Sequence, residues 1–295
     1  MPELRFDPLG RRHVLLAPER ARRGAPSVEK FKPDPEPCDF CGGQEERTPP
    51  EVYSIRHDGS APDTPGWSVR SVPNLFPATQ VHEVVVHTPH HHVRFETQSP
   101  ADQRDVIDAY RDRLGNIETA SAVVVWNRGR ASGASRSHAH GQIFGLENVP
   151  PTLERETEAL SEGPCVLCQM TDEESLHIDQ RDGFRVIAHP VPYVADELLI
   201  VPPHGPRMGD LSDDELGPSS EAFASALRRL GATRGDGVPF NLVIHTAPRG
   251  VSSYHWHAHL MPRTAVWGGL EMGAELPIVA SDPHDTAFRF RADSF

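Results

Sequence analysis

Short apolar runs separated by polar, proline-rich breaks dominate the chain, and two longer stretches carry helical spacing. Residues 68–72, 83–87 and 122–126 are valine-rich runs of strand length in the first half. Between the last two, Val106, Ile107, Tyr110, Leu114 and Ile117 recur at steps of three and four and form a helical stripe, opened by Ser99 as cap and Pro100 in the first turn. In the second half, 184–188, 197–201 and 240–245 read as strands. Phe223, Leu227 and Leu230 give the apolar face of a helix over 211–230, with Ser212 as cap before Asp213, Asp214 and Glu215. Residues 148–161 link the halves, with a short helix at 153–160 as an alternative, and 24–66 read as a long loop. The tail after Gly268 shows no clear periodicity.

The order of these pieces repeats. Each half begins with a cysteine pair, runs through two strands to a histidine, and continues through a helix and a strand to a histidine-bearing segment. The span is 97 residues from Cys41 to His138 and 87 from Cys168 to His255. This repetition predicts an internal duplication in an α+β chain, with halves at 1–150 and 151–295.

Composition narrows the function class. The 295 residues suffice for a sizeable core, and 29 prolines imply many loops. A formal net charge of −13 argues against nucleic acid or an anionic membrane as partner, since phosphate backbones need basic surface. Local arginines and histidines can still hold a small phosphorylated ligand. The opening Met-Pro-Glu-Leu-Arg-Phe-Asp carries no apolar leader, and no run reaches membrane length, so a cytosolic protein is expected.

The four cysteines fall into two pairs, Cys38-x-x-Cys41 and Cys165-x-x-Cys168, each in a loop-like context. In a reducing compartment such pairs read as metal sites, and Cys-x-x-Cys is half of a tetrahedral zinc set. The duplication completes each set. The first is Cys38, Cys41, one of His90–His92, and His138; the second is Cys165, Cys168, His204 and His255. Spacing does not choose between His90 and His91.

The richest stretch is 135–142, Ser-Arg-Ser-His-Ala-His-Gly-Gln. His138, His140 and Gln142 occupy alternate positions, which on a strand project to one face. Neutral imidazole binds metal or attacks an electrophile, and a carboxamide can hold a phosphate oxygen.

With these motifs the sequence resembles the galactose-1-phosphate uridylyltransferase family of the histidine-triad superfamily, and most closely its ADP-glucose phosphorylase-like branch. The resemblance runs through Phe6-Asp-Pro-Leu-Gly10, Ala17-Pro-Glu-Arg20-Ala-Arg-Arg23, Cys38-Asp-Phe-Cys41 and Glu45-Glu-Arg-Thr-Pro-Pro-Glu51. It continues through Val72-Pro-Asn-Leu-Phe-Pro77, Thr88-Pro-His-His91, Asn127-Arg-Gly129 and 133–142, then the second cysteine pair and His255-Trp-His257. Ser137-His138-Ala139-His140 in place of His-Pro-His leans toward that branch. The segment 271–280 departs from the family pattern that selects the sugar.

The resemblance implies two histidine-triad-like halves of antiparallel sheet with packed helices. It implies zinc on His138, favours His91 over His90 as the third ligand, and makes His140 the nucleophile. Gln142 would contact the transferred phosphate, and Arg20, Arg23, Asn74, Phe76, Asn127 and Ser135 the nucleotide or its phosphates. The implied reaction moves a nucleoside monophosphate from a nucleotide sugar, through a nucleotidyl-histidine, to a sugar 1-phosphate or inorganic phosphate; a homodimer is the implied assembly. Two alternatives stand beside it. His255-Trp-His257-Ala-His259 also fits the pattern of superfamily nucleotide hydrolases, with His257 as nucleophile. A zinc-stabilised nucleotide-binding scaffold would leave His140 and Gln142 without a task.

Overall fold

The computed structural model describes residues 3–16 and 37–292. Arg20, Arg23 and residues 24–36 of the expected long loop lie outside the described residues. The chain opens with the hairpin β1 (Glu3–Asp7) and β2 (Arg12–Leu16). It continues through β3 (Tyr53–Arg56), β4 (Trp67–Pro73), β5 (Val81–Val86), α1 (Pro100–Asn116), β6 (Ser121–Arg128) and β7 (His140–Leu146). Then follow α2 (Pro151–Ser161), α3 (Val166–Met170), β8 (His177–Arg181), β9 (Phe184–Ala188), β10 (Leu198–Val201), α4 (Asp213–Arg234), β11 (Phe240–His245) and β12 (His257–Pro262). The chain closes with α5 (Gly269–Ala274), β13 (Ile278–Val279), which pairs in parallel with β2, and α6 (Pro283–Ala292).

Ten strands form one antiparallel sheet in the order β3-β4-β5-β7-β6-β11-β12-β10-β9-β8. Counted outward from the β6–β11 seam, both directions give the same sequence of roles: β6, β7, β5, β4, β3 on one side and β11, β12, β10, β9, β8 on the other. The repeated sequence order is therefore a repeated strand order. The seam pairs Phe240 with Arg128 through to His245 with Val123. Each strand would be the inner edge of its own half, and pairing removes both exposed edges.

Helices α1 and α4 are the crossovers β5–α1–β6 and β10–α4–β11, and both pack on one face of the sheet. Ser99 caps α1, its hydroxyl accepting from the Asp102 amide at 3.2 Å, and Ser212 with Glu215 forms a capping box on α4. Beneath them one core crosses the seam, with Tyr110, Trp126 and Phe223 in contact. Gly141 in β7 is required there, because a Cβ at this position would overlap the Tyr110 hydroxyl and the Trp126 indole. On the opposite face α2 and α3 cover the second half, burying Leu153, Leu160, Leu167 and Met170 against Ile187, Leu199 and Val201. Among the described residues, the first half is covered there around Phe40, which packs over Trp67, Val72, Val84 and Val86.

Several expectations need correction. The region read as loop contains β3, an edge strand whose Tyr53 and Ile55 pack on the core and whose Arg56 is tied to Glu51 and Ser60; its alternation spans four residues only, too brief to stand out in a stretch rich in proline and charge. The cysteines at 165 and 168 are not in a loop, since Cys165 caps α3 and Cys168 sits within it. Within the link at 148–161 the helical alternative holds, and α2 extends it to Pro151–Ser161. The tail after Gly268 holds a helix, α6, pinned by Arg289 to the buried Asp196 at 2.5 Å. Finally, regular strand begins only at His140, so His138 precedes β7 as His255 precedes β12; His138 sits in a bend and His255 in irregular backbone, each ring hydrogen-bonded to a backbone carbonyl.

Candidate active site and metal clusters

The bend before β7 gathers the first cluster. Cys38, Cys41, His91 and His138 bring their ligand atoms within 4.8 Å of one another. The His138 ring donates from Nε2 to the Thr88 carbonyl at 2.7 Å, which leaves the Nδ1 lone pair facing Cys38 and Cys41, each sulfur 3.7 Å away. Bonds of about 2.3 Å to sulfur and about 2.0 Å to nitrogen at the tetrahedral angle would place these atoms roughly 3.5 Å apart, so the set fits a tetrahedral ion. His90, one residue away, is exposed and outside the cluster.

The second cluster repeats this construction. Cys165, Cys168, His204 and His255 converge. His255 Nε2 donates to the Pro202 carbonyl at 3.0 Å, and its Nδ1 lies 3.4 Å from Cys165 and 3.7 Å from Cys168. Burial pushes His255 down to about 4, so its imidazole is neutral and suited to a metal. Burial, with the neighbouring Cys165, pushes the Cys168 thiol up to about 11, a cost that a bound cation would reverse.

A third cluster, Glu156, His245, His257 and His259, was not expected. Glu156 projects from α2 against three histidines of β11 and β12. It bonds His245 Nδ1 at 3.0 Å and the Tyr254 hydroxyl at 2.6 Å. Burial pushes His257 and His259 down to about 3; it works upward on Glu156, which His245 outweighs and holds below the usual carboxylate range. The Nε2 atoms of His257 and His259 are buried without a hydrogen-bond partner among the described residues. Two neutral imidazoles facing a carboxylate make a donor set that can hold a divalent ion. No sequence signal pointed to Glu156, because it lies on the linker between halves.

His140 begins β7 and is buried. Its Nδ1 donates to the His138 carbonyl at 2.7 Å, which fixes the tautomer and puts the lone pair on Nε2. Two cavities meet at this imidazole. One, of about 190 Å3, is lined by Asn74, Phe76, Ser135, Arg136, His140 and Gln142 among others. The other, of about 270 Å3, is lined by His87, Asn127, Arg136 and His140 among others. The expected contacts thus gather here, Asn127 in one cavity and Asn74, Phe76, Ser135 and Gln142 in the other. Phe76 is 82% exposed at the mouth, so its ring is open to a planar ligand.

Sequence reading missed several groups around His140. The Phe40 ring lies 5.3 Å from its imidazole. Arg136 reaches the site tied to Asp39 at 2.7 Å. His87, pushed well below the usual histidine range by burial, donates its backbone amide to the Ala139 carbonyl at 3.0 Å and so holds the bend. His82 and Asn241 contact Gln142 and Asn127 respectively. Among the described residues no helix is long and apolar enough to cross a membrane.

Comparison with known proteins agrees with this geometry. The family model for the galactose-1-phosphate uridyl transferase N-terminal domain matches residues 71–150. An ADP-glucose phosphorylase of Arabidopsis thaliana is 29% identical over 97% of this chain and 91% of its own. A galactose-1-phosphate uridylyltransferase of Haemophilus influenzae is 26% identical over 88% of this chain and 84% of its own. The crystal structure of an Arabidopsis thaliana ADP-glucose phosphorylase with bound ADP-glucose superposes with a TM-score of 0.88 at 26% identity, covering 100% of this chain and 99% of the other. With its repeated strand order, paired cysteine–histidine clusters and full-length relatives, the chain is similar to the galactose-1-phosphate uridylyltransferase family and to its ADP-glucose phosphorylase-like branch.

Proposed function

We propose that this nucleotidyltransferase moves a nucleoside monophosphate from a nucleotide sugar to a phosphate acceptor, with His140 as the carrier. The observation that carries the reading is the His140 imidazole, tautomer fixed by the His138 carbonyl, standing where two cavities lined by carboxamides and Arg136 meet. Nε2 attacks the α-phosphorus, a P–N bond forms, and the bond to the β-phosphate oxygen breaks, releasing sugar 1-phosphate. An acceptor phosphate oxygen then attacks the same phosphorus, the P–N bond breaks, and neutral imidazole returns. Gln142, Asn127 and Arg136 supply donors to the non-bridging oxygens, where stabilisation of charge dominates such transfers. Asn74, Phe76 and Ser135 hold the nucleotide, as do Arg20 and Arg23 by resemblance.

The full-length likeness to an ADP-glucose phosphorylase favours ADP-glucose as donor, with inorganic phosphate or a hexose 1-phosphate as acceptor. Zinc is the metal proposed for Cys38, Cys41, His91 and His138, and for Cys165, Cys168, His204 and His255. When bound it supplies a rigid anchor for the bend that presents His140. A homodimer acting in the cytoplasm completes the proposal. His257 is a poor alternative nucleophile, because it is fully buried against Glu156 and lines none of the cavities described above.

The test is exchange of labelled glucose 1-phosphate into ADP-glucose without acceptor. A carrier imidazole supports this exchange, and His140→Ala abolishes it while the fold persists. Exchange that survives in His140→Ala would refute the assignment.

A further inference from the structure

A carboxamide at a phosphate is ambivalent: its NH2 attracts the oxygens and its carbonyl repels them, so the end that faces the ligand decides its effect. We infer that His82 and Asn241 are positioning residues that turn the NH2 groups of Gln142 and Asn127 toward the transferred phosphate. This rests on the reading of His140 as nucleotidyl carrier.

The polarity follows from backbone groups that can act in only one sense. The Ala78 amide donates to His82 Nδ1 at 3.0 Å, so the neutral His82 ring carries its proton on Nε2. That Nε2 lies 2.7 Å from Gln142 Oε1 and therefore donates to it. Asn74 adds a second donor to the same oxygen at 3.4 Å, its own orientation set by the Phe76 amide, which donates to Asn74 Oδ1 at 2.9 Å. With its carbonyl engaged twice, Gln142 presents its NH2 to the cavity it shares with His140. His82 is itself held by stacking on Phe144, ring centroids 4.2 Å apart.

On the neighbouring strand the same device comes from the other half of the chain. The Ser132 carbonyl accepts from Asn241 Nδ2 at 2.8 Å, which fixes the Asn241 amide. The same nitrogen donates to Asn127 Oδ1 at 2.6 Å across the β6–β11 seam. Asn127 is left with its NH2 for the second cavity lined by His140. Val125 pairs with Gln142, and extending that antiparallel register by two residues brings Asn127 opposite His140. The two oriented amides thus approach the imidazole from adjacent strands, preorganised before substrate arrives. Asn241 gives the second half of the duplicated sheet a direct part in the site.

The experiment measures the rate of adduct formation on His140 by quenched-flow intact mass with ADP-glucose, in two double-mutant cycles. His82→Phe keeps the stacking but loses the donor, and is expected to slow adduct formation about 10- to 100-fold with little change in donor affinity. His82→Gln, which can donate to the same oxygen, should recover most of that loss. In a Gln142→Ala background His82→Phe should slow the reaction no further. Asn241→Ala should behave in the same way against Asn127→Ala, so the inference stands on a second pair if one variant folds poorly. Losses of equal size in both backgrounds, or single variants at wild-type rate, would overturn it. Failure of the wild type to form an adduct with any nucleotide sugar would instead overturn the carrier reading, and the inference with it.

Discussion

His140 Nδ1 donates to the carbonyl of His138 at 2.7 Å, so one histidine sets the protonation of the other through its backbone. The side chain of His138 faces Cys38 and Cys41, while its carbonyl orients His140. His257 and His255 repeat the relationship at 2.9 Å in the second half. There Glu156, carried by α2, fills the space before the equivalent nitrogen. The same backbone relationship thus leaves Nε2 facing two cavities in one half and a buried carboxylate in the other.

The first consequence concerns metal at the first cluster. Cys38→Ser should remove one bound metal equivalent by elemental analysis and slow transfer about 10- to 100-fold, the range seen when groups that support a reactive centre are lost. Loss of the metal with unchanged turnover would detach the cluster from His140.

Packing behind the strand gives a second test. Gly141→Ala forces a methyl group against Tyr110 and Trp126, and overpacking of this kind costs about 1–3 kcal/mol. Urea unfolding should show that loss, with adduct formation also slowed because β7 is pushed toward the cavity. A variant as stable as the wild type would mean that β7 sits farther from the core than the structure places it.

The strand runs, the helical stripes and both cysteine pairs were legible because each is a local pattern. The repeated order even announced the pseudo-symmetric sheet. Glu156, His245 and Asn241 were not legible, because they acquire partners only when α2 folds over the sheet and β11 meets β6 at the seam. His82 gave no signal in sequence, because its partner Gln142 lies on β7, two residues from Phe144, the register mate of His82, and comes within reach only when β5 and β7 pair. The choice of His91 needed the family resemblance, since His90 and His91 lie in a turn after β5 where strand alternation gives no guide.

Asp7 supplies a pH-dependent prediction. Burial outweighs the nearby Arg12 and raises its carboxyl to about 6, above the ordinary 3.8. The folded state therefore binds more protons than the unfolded state between about pH 4 and 6, and this group's contribution to stability falls as pH rises through that window. Above pH 6 the charged form costs on the order of 2–3 kcal/mol. Asp7→Asn should be more stable than wild type at pH 7 and lose that advantage by pH 4. An advantage of equal size at both pH values would contradict the assignment.

The most direct measurement is intact mass and peptide mapping after mixing the protein with ADP-glucose, UDP-glucose, UDP-galactose and GDP-sugars one at a time. The account predicts one nucleoside monophosphate bonded to His140 with the matching donor. It should be discharged by inorganic phosphate or a hexose 1-phosphate and be absent from His140→Ala. A protein that turns over a nucleotide sugar without ever carrying that mass, or that carries it on His257, would contradict the account.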